Sequence, residues 1–369
     1  MFLNLSSTTS RNAFVASAAL LLSVASAFGQ ANAPTPVKGY SLSVFATGVV
    51  GQYTKPDSIA VYNNHVYIAY GNGNDPAGAD GKTNVVIEYT RAGQKVYSFK
   101  VKGHNDGLKV NPYTHKLWVM QNEDANPSLV VFDPETREKK LYTFEAAPTA
   151  GGGYDDIAFR NGKAYLSASN PANSPNTGSA IDEVKLENRQ VVVVKHILAG
   201  NATATNILTG QQVTLNLQDP DSMTTTAGGE LVLDSQGDSE LVMVRKPGTQ
   251  DQSVLQIPLS SPYGQPQIDD TLFTPANDGF LLVTDTAANI TYKITKTIFA
   301  PGAAYSAGVA GTSAAPGFVG RLDVEFGQLT PIVSGMQSPH GLAFVKTSDE
   351  DDSKLEELKD ACNVLFPNL

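Results

Sequence analysis

The chain has 369 residues, with 26 Lys and Arg against 36 Asp and Glu and a formal net charge of −10. No basic stripe interrupts that balance, which excludes nucleic acid as a partner, because phosphate binding needs clustered Lys and Arg. The one cysteine, Cys362, excludes an intramolecular disulfide, so stability must come from core packing and strand pairing.

Residues 1–33 read as a secretory signal. Arg11 supplies a positive flank, 14–28 is apolar and rich in small residues, and Ala25-Ser26-Ala27 and Ala31-Asn32-Ala33 both fit a small-x-small cleavage site. The apolar stretch is shorter than the roughly 20 residues that span a bilayer. The expected location is secreted or periplasmic, with no membrane association after cleavage. A Pro-rich linker over 33–38 then leads to a strand over 40–49.

Strand signals follow in groups. The first group predicts strands over 59–61, 65–70, 85–89 and 95–101, rich in β-branched and aromatic residues. Asn63-Asn64 and Arg91-Ala92-Gly93 supply its turns. The second predicts 108–110, 116–120, 129–132 and 140–144. The third predicts 157–159, 163–167, 181–186 and 190–196, with Asn161-Gly162 as a hairpin turn. The fourth predicts 223–225, 230–233, 240–245 and 253–257. A fifth is read over 272–274, 280–284 and 290–294. Residues 300–317, rich in Gly, Ala, Ser and Pro, read as a loop insertion before strands over 319–324 and 328–333.

The groups open alike. Asp57, Asp106, Asp155, Asp221, Asp270 and His340 each precede a short apolar run, at steps of 49, 49, 66, 49 and 70 residues. A recurrence near fifty residues means a repeat architecture. Four antiparallel strands per repeat, arranged about an axis, make an all-β propeller over 34–347. Six blades are expected, with five or seven left open. The last blade would borrow strands from 300–335. Closure is expected between 40–49 and the repeat that holds His340, which removes a free edge.

Residues 348–369 differ from the rest. Asp349-Glu350-Asp351-Asp352 precedes Leu355, Leu358, Cys362 and Leu365 at helical spacing, which reads as an acidic C-terminal helix or tail. Cys362 falls on its apolar face, as a small packing residue.

The inner strand of a propeller blade lines the central channel, so one polar side chain per repeat would ring one mouth. Asn105, Asp156 and Asp269 stand beside the six. Converging carboxylate and amide oxygens suit a hard cation, Ca²⁺ or another divalent ion. Aspartates before strands also serve as turn residues that bond to backbone N–H groups, and both readings stay open here. His104 adjoins the Asn105-Asp106 pair as a proton carrier or a solvated turn residue, whereas His65, His115 and His196 fall in or near strand runs. No phosphate loop, nucleophile elbow, paired-Cys motif or His-Glu-x-x-His motif is found. Asn201-Ala202-Thr203 and Asn289-Ile290-Thr291 are sequons.

Three segments resemble the gluconolactonase and senescence-marker-protein propellers. Asn105-Asp106-Gly107, with Leu117-Trp118 following, resembles that family's Asn-Asp-Gly segment. Pro220-Asp221-Ser222-Met223 resembles its Pro-Asp-Gly-Met segment, which supplies a metal-binding Asp, and Pro339-His340-Gly341-Leu342 resembles its Pro-Asn-Gly-Leu segment. The repeat as a whole resembles NHL-type and other six-bladed propellers. Two features depart from the family. The Pro-x-Gly segment comes last and carries His340, and no Glu-Gly-Pro segment precedes the first repeat, where Lys55-Pro56-Asp57 stands instead.

Two functions follow. One is a monomeric binding module that takes a small polar ligand, a cation or an extracellular partner at the channel mouth. The other, implied by the resemblance, is a metal-dependent hydrolase of a lactone or related ester. In that case Asn105, Asp155 and Asp221 hold the cation, and Asp106 or His340 is the general base.

Overall fold

The computed structural model describes residues 33–310 and 316–347. The signal-type segment up to residue 32 and the acidic C-terminal stretch lie outside the described residues. All regular structure among the described residues is strand, so none of them forms a helix long and apolar enough to cross a membrane.

The antiparallel sheets take a propeller-like arrangement. The first is a meander of Pro56–Tyr62, His65–Tyr70, Thr83–Thr90 and Lys95–Lys102. Asn63 and Asn64 both have positive φ at its first turn, as do Asn161 and Gly162 in a later one, which fits the primed hairpin turns that follow strand twist. Two further meanders run from Asn105–Val110 to Lys139–Phe144 and from Gly153–Arg160 to Gln190–Ala199. Their outermost strands meet in a short parallel pairing, Thr143 with Gln190 and Phe144 with Val191, which ties them into one eight-stranded sheet. That pairing covers part of two edges that would otherwise be open. The next meander starts at Pro220–Thr225 and ends at Ser253–Pro258, and the hairpin of Thr203–Asn206 and Gln212–Thr214 extends its outer edge.

The last two sheets interlock, which corrects the fifth group read from the sequence. Pro266–Phe273 does not pair with Gly279–Asp285. It pairs with Ala304–Ala310, which continues through Gly317–Asp323 and Gln328–Met336 to Thr35–Pro36. Gly279–Asp285 and Ile290–Lys296 lie in the other sheet, between Pro339–Lys346 and Tyr40–Thr47. The chain therefore crosses to the next sheet for one hairpin, returns, and crosses again. Residues 304–310, read as loop from their small residues, are strand. Gly308 shows why small residues suit it: a Cβ there would lie 2.2 Å from Gln267 O on the paired strand.

The first strands of these sheets touch in sequence: Pro56–Tyr62, Asn105–Val110, Gly153–Arg160, Pro220–Thr225, Pro266–Phe273 and Pro339–Lys346, with the last against the first. Strands behind them are buried on both faces, as at Val66–Ile68–Ala69–Tyr70 and Leu231–Val232–Leu233. Neighbouring sheets share their cores. Val66, Ile68 and Ile87 pack with Phe280, Leu282 and Val345, and Tyr165 and Ile181 pack with Met223, Leu233 and Val242. Each fully buried Leu or Ile contributes about 1.5–3 kcal/mol, so the apolar core sits between sheets and leaves the axis to polar groups.

Candidate functional site

Each of the six first strands opens with a break in register against the strand behind it. The breaks fall between Pro56 and Ile59, Asn105 and Leu108, Tyr154 and Ile157, Pro220 and Met223, and Ile268 and Asp270. In the last strand the break falls opposite Val283 and Asp285, between Pro339 and Leu342. A bulge of this kind re-aims side chains. Here it turns one polar side chain per strand toward the axis. Gly107 and Gly341 occupy two of the bulges because the neighbouring backbone is close: a Cβ would lie 2.3 Å from Asp155 O and 2.5 Å from Asp57 O.

The result is a cavity of about 500 Å³ whose walls include Asp57, Asp106, Asp155, Asp221, Asp269 and His340. Glu123, Asp124 and Asp219 join them, against Lys55 and His104. Asp269 takes the ring position that the sequence assigned to Asp270. Asp270 lies lower, where its carboxylate accepts Leu342 N at 2.7 Å. Asp156 does the equivalent two first strands earlier, accepting Met223 N at 2.9 Å and Lys109 Nζ at 2.9 Å. These two aspartates stitch adjacent first strands together, which is the turn-type role the sequence left open.

Of the other residues singled out in the sequence, Asn105 is buried and off the cavity wall. Its Nδ2 donates to Met120 O at 2.7 Å and Gly107 O at 3.1 Å. Asp106, Asp155 and Asp221 line the same cavity. Burial, then the neighbouring carboxylates, pushes all three well above the usual carboxylate range. Burial and Asp238 push Asp219 up to about 6. Asp155 is 4% exposed, and its buried Oδ1 has no hydrogen-bond partner among the described residues.

His340 sits between two carboxylates from the strands on either side. Its Nδ1 is 2.9 Å from Asp269 Oδ1 and 3.5 Å from Asp57 Oδ1. Its Nε2 is 2.9 Å from Ser338 Oγ. Burial opposes a charge on the ring, but Asp269 and Asp57 outweigh it and hold His340 well above the usual imidazole range. His104 repeats the device. Its Nδ1 lies 3.0 Å from Glu123 Oε2, and this pairing outweighs burial to raise its pKa. Gly71 leaves room for that ring, since a Cβ would stand 3.0 Å from Nε2.

Two sets of donors lie close enough to share an ion: Asp57, Asp269 and His340, and His104, Asp106 and Glu123. The sequence missed Glu123, Asp124 and Asp219 as wall residues. Asp219 immediately precedes Pro220, as Lys55 precedes Pro56 and His104 precedes Asn105. Lys55, His104 and Asp219 thus share one repeat position, two residues before the ring positions Asp57, Asp106 and Asp221, and that shared position is the sequence signal for Asp219. Glu123 and Asp124 come from a loop with no periodic signal.

No family model and no curated protein matches the chain. Among solved structures, it is similar to a protein of unknown function from Bacteroides caccae, at 9% identity over 79% of this chain and 86% of that one, with a TM-score of 0.47. It is also similar to the periplasmic gluconolactonase of Pseudomonas aeruginosa, at 11% identity over 84% and 99%, with a TM-score of 0.46. A streptogramin B lyase aligns at 14% identity over 83% and 95%, with a TM-score of 0.43. At these levels the likenesses assign no family.

Proposed function

We propose that the chain is an exported six-bladed propeller, closed by its N-terminal strand, and that its mouth is a divalent-cation site that hydrolyses a lactone or related ester. The observation that carries this reading is the unpartnered Asp155 oxygen in a wall of mutually repelling carboxylates. Buried charge of one sign without a counter-charge is costly, and a hard cation with six to eight oxygen ligands removes that cost. Asp106 and Glu123, which with His104 lie close enough to share an ion, would hold it, with Asp155 and Asp221 on the same wall. Asn105 Oδ1, the atom that would ligate, is buried and without a hydrogen-bond partner among the described residues, but Asn105 does not line the cavity.

A bound cation supplies Lewis-acid polarisation of the carbonyl. The chain supplies the rest. Asp57 and Asp269 fix the His340 ring, and Glu123 fixes His104, so a substrate in the cavity meets two oriented imidazoles able to carry protons. The bulged strands hold Asp57, Asp269 and His340 on paired backbone.

The test pairs calorimetric titration with Ca²⁺, Mg²⁺ and Mn²⁺ with a hydrolysis screen of aldono-lactones, aliphatic lactones and simple esters. Cation-dependent turnover that stops in chelator and in Asp221→Ala supports the reading. Cation binding with no turnover on the panel would leave a binding module in its place.

A further inference from the structure

We propose that the cavity selects esters and lactones that carry a primary ammonium group, and that Asp155, Asp219 and Asp221 receive that group. The inference rests on the hydrolase reading above for the ester. The ammonium site stands on three observations of its own.

The first is a surplus of acid. Eight carboxylates line the cavity against Lys55, His104 and His340. One divalent ion does not balance them. A cavity of about 500 Å³ also has room for a small organic ligand besides an ion.

The second is where the surplus lies. His340 is in Pro339–Lys346, and Lys55 and His104 immediately precede Pro56–Tyr62 and Asn105–Val110. These three first strands are consecutive neighbours. On that side the acids are matched: His340 serves Asp269 and Asp57, and His104 serves Glu123. Asp106 falls in the donor set with His104 and Glu123, and Asp124 accepts Asn170 Nδ2 at 2.9 Å. Asp155, Asp219 and Asp221 remain. They come from the next two first strands, Gly153–Arg160 and Pro220–Thr225, Asp219 standing just before the second. Burial raises the pKa of all three, and the charges that add most to it are other carboxylates.

The third points to an N–H donor. Asp155 is 4% exposed, lines the cavity and leaves its Oδ1 without a hydrogen-bond partner among the described residues. A primary ammonium is a compact charge with three N–H donors, which suits three acceptor carboxylates. The rest of the wall agrees. Asn74, Ser169, Gln236 and Thr286 form hydrogen bonds, and no Phe, Tyr or Trp among the described residues lines the cavity. A quaternary ammonium is held on aromatic faces, so this wall favours N–H over N–CH₃. Asp219 is fixed where it stands. Its carbonyl accepts Gln236 N at 3.0 Å, and Gly237 makes room for it, since a Cβ there would lie 3.0 Å from Asp219 Cβ.

The test uses the full chain with Ca²⁺, Mg²⁺ or Mn²⁺ present. It compares hydrolysis of ethyl 4-aminobutanoate with that of ethyl pentanoate and of the N-trimethyl form of the amino ester. Calorimetric titration with 1,4-diaminobutane and its bis-trimethylammonium counterpart reads binding without turnover. The amino ester should have a kcat/KM at least about tenfold above the other two, the size of one hydrogen bond to a charged group. Asp219→Asn should remove most of that preference and weaken diamine binding by about tenfold, whereas Asp133→Asn, in an outer turn, should keep both. Should Asp219→Asn fail to fold, Asp155→Asn gives the same reading. Equal kcat/KM for the amino and neutral esters would overturn the proposal and leave the hydrolase reading standing. A diamine that does not bind, or a quaternary analogue that binds equally well, would overturn it too. So would two divalent ions per chain with one lost in Asp219→Asn, since the three carboxylates would then hold a second metal. Diamine binding that Asp219→Asn weakens, with no ester turned over, would support the ammonium site and sink the hydrolase reading instead.

Discussion

His340 Nδ1 lies 2.9 Å from Asp269 Oδ1, and the two residues come from first strands that are neighbours across the interlocked pair of sheets. The contact therefore exists only when these two sheets pack side by side. Burial works against the imidazolium, and the carboxylates of Asp269 and Asp57 overcome it. Asp269→Asn should lower the His340 pKa. An NMR titration of the ring Cε1–H signal measures this, and an unmoved midpoint would show that Asp57 alone sets it.

Stability without a cation should fall as pH rises. Asp106, Asp155 and Asp221 are raised by burial and like charge, Asp219 to about 6, and Asp270, by burial first, to about 7. A folded-state pKa above the unfolded value favours the protonated form, so each contribution is full below an unfolded pKa of about 4 and is lost through the folded pKa. His340 has the same sign: its contribution is full below about 6.5 and is lost through its raised folded value. Melting temperature in chelator should therefore decline steadily from pH 4 upward and beyond neutrality. A profile that rises over that window would contradict the assigned directions.

A cation should reverse that decline. At a hundredfold excess over Kd, binding to the native state alone adds about 2.7 kcal/mol, or roughly 5 °C in a domain of this size. Asp221→Ala should abolish the rise and, by removing one repelling charge, melt higher than the parent in chelator. Asp133→Ala should keep the rise, because Asp133 caps an outer turn through Glu135 N and Thr136 N. Equal melting of the parent in calcium and in chelator would end the cation reading.

Gly107→Ala should destabilise by about 1–3 kcal/mol or more. Its Cβ would meet Asp155 O at 2.3 Å and Asp156 Cα at 2.9 Å, and backbone of a neighbouring strand cannot turn aside as a side chain can. Urea unfolding at constant m-value reads the loss. A neutral result would mean that the two strands stand further apart.

Deletion of residues 40–49 should collapse the melting transition rather than trim it. Tyr40–Thr47 covers the outer edge of Ile290–Lys296, in the sheet whose other end is the C-terminal Pro339–Lys346. Retention of the parent's melting temperature would show that this strand is dispensable.

The sequence by itself determined the β character, the repeat and most ring positions. The reason is local. Alternating apolar runs dictate strands, and the Asp before each run sits at a bulge whichever sheet the strand joins. Asp57, Asp106, Asp155, Asp221 and His340 were legible for that reason. The tertiary structure decided what depends on contacts between distant segments. It sent 279–296 to the sheet of His340 rather than to the sheet of its sequence neighbour 266–273, because a hairpin's own pattern does not say which edge it will meet. It chose Asp269 over Asp270 for the ring, since a one-residue shift at a bulge reverses which side chain faces the axis. It brought Glu123 to His104 and Asp269 to His340, and these pairings turn a repeated turn residue into groups that can hold and move a proton.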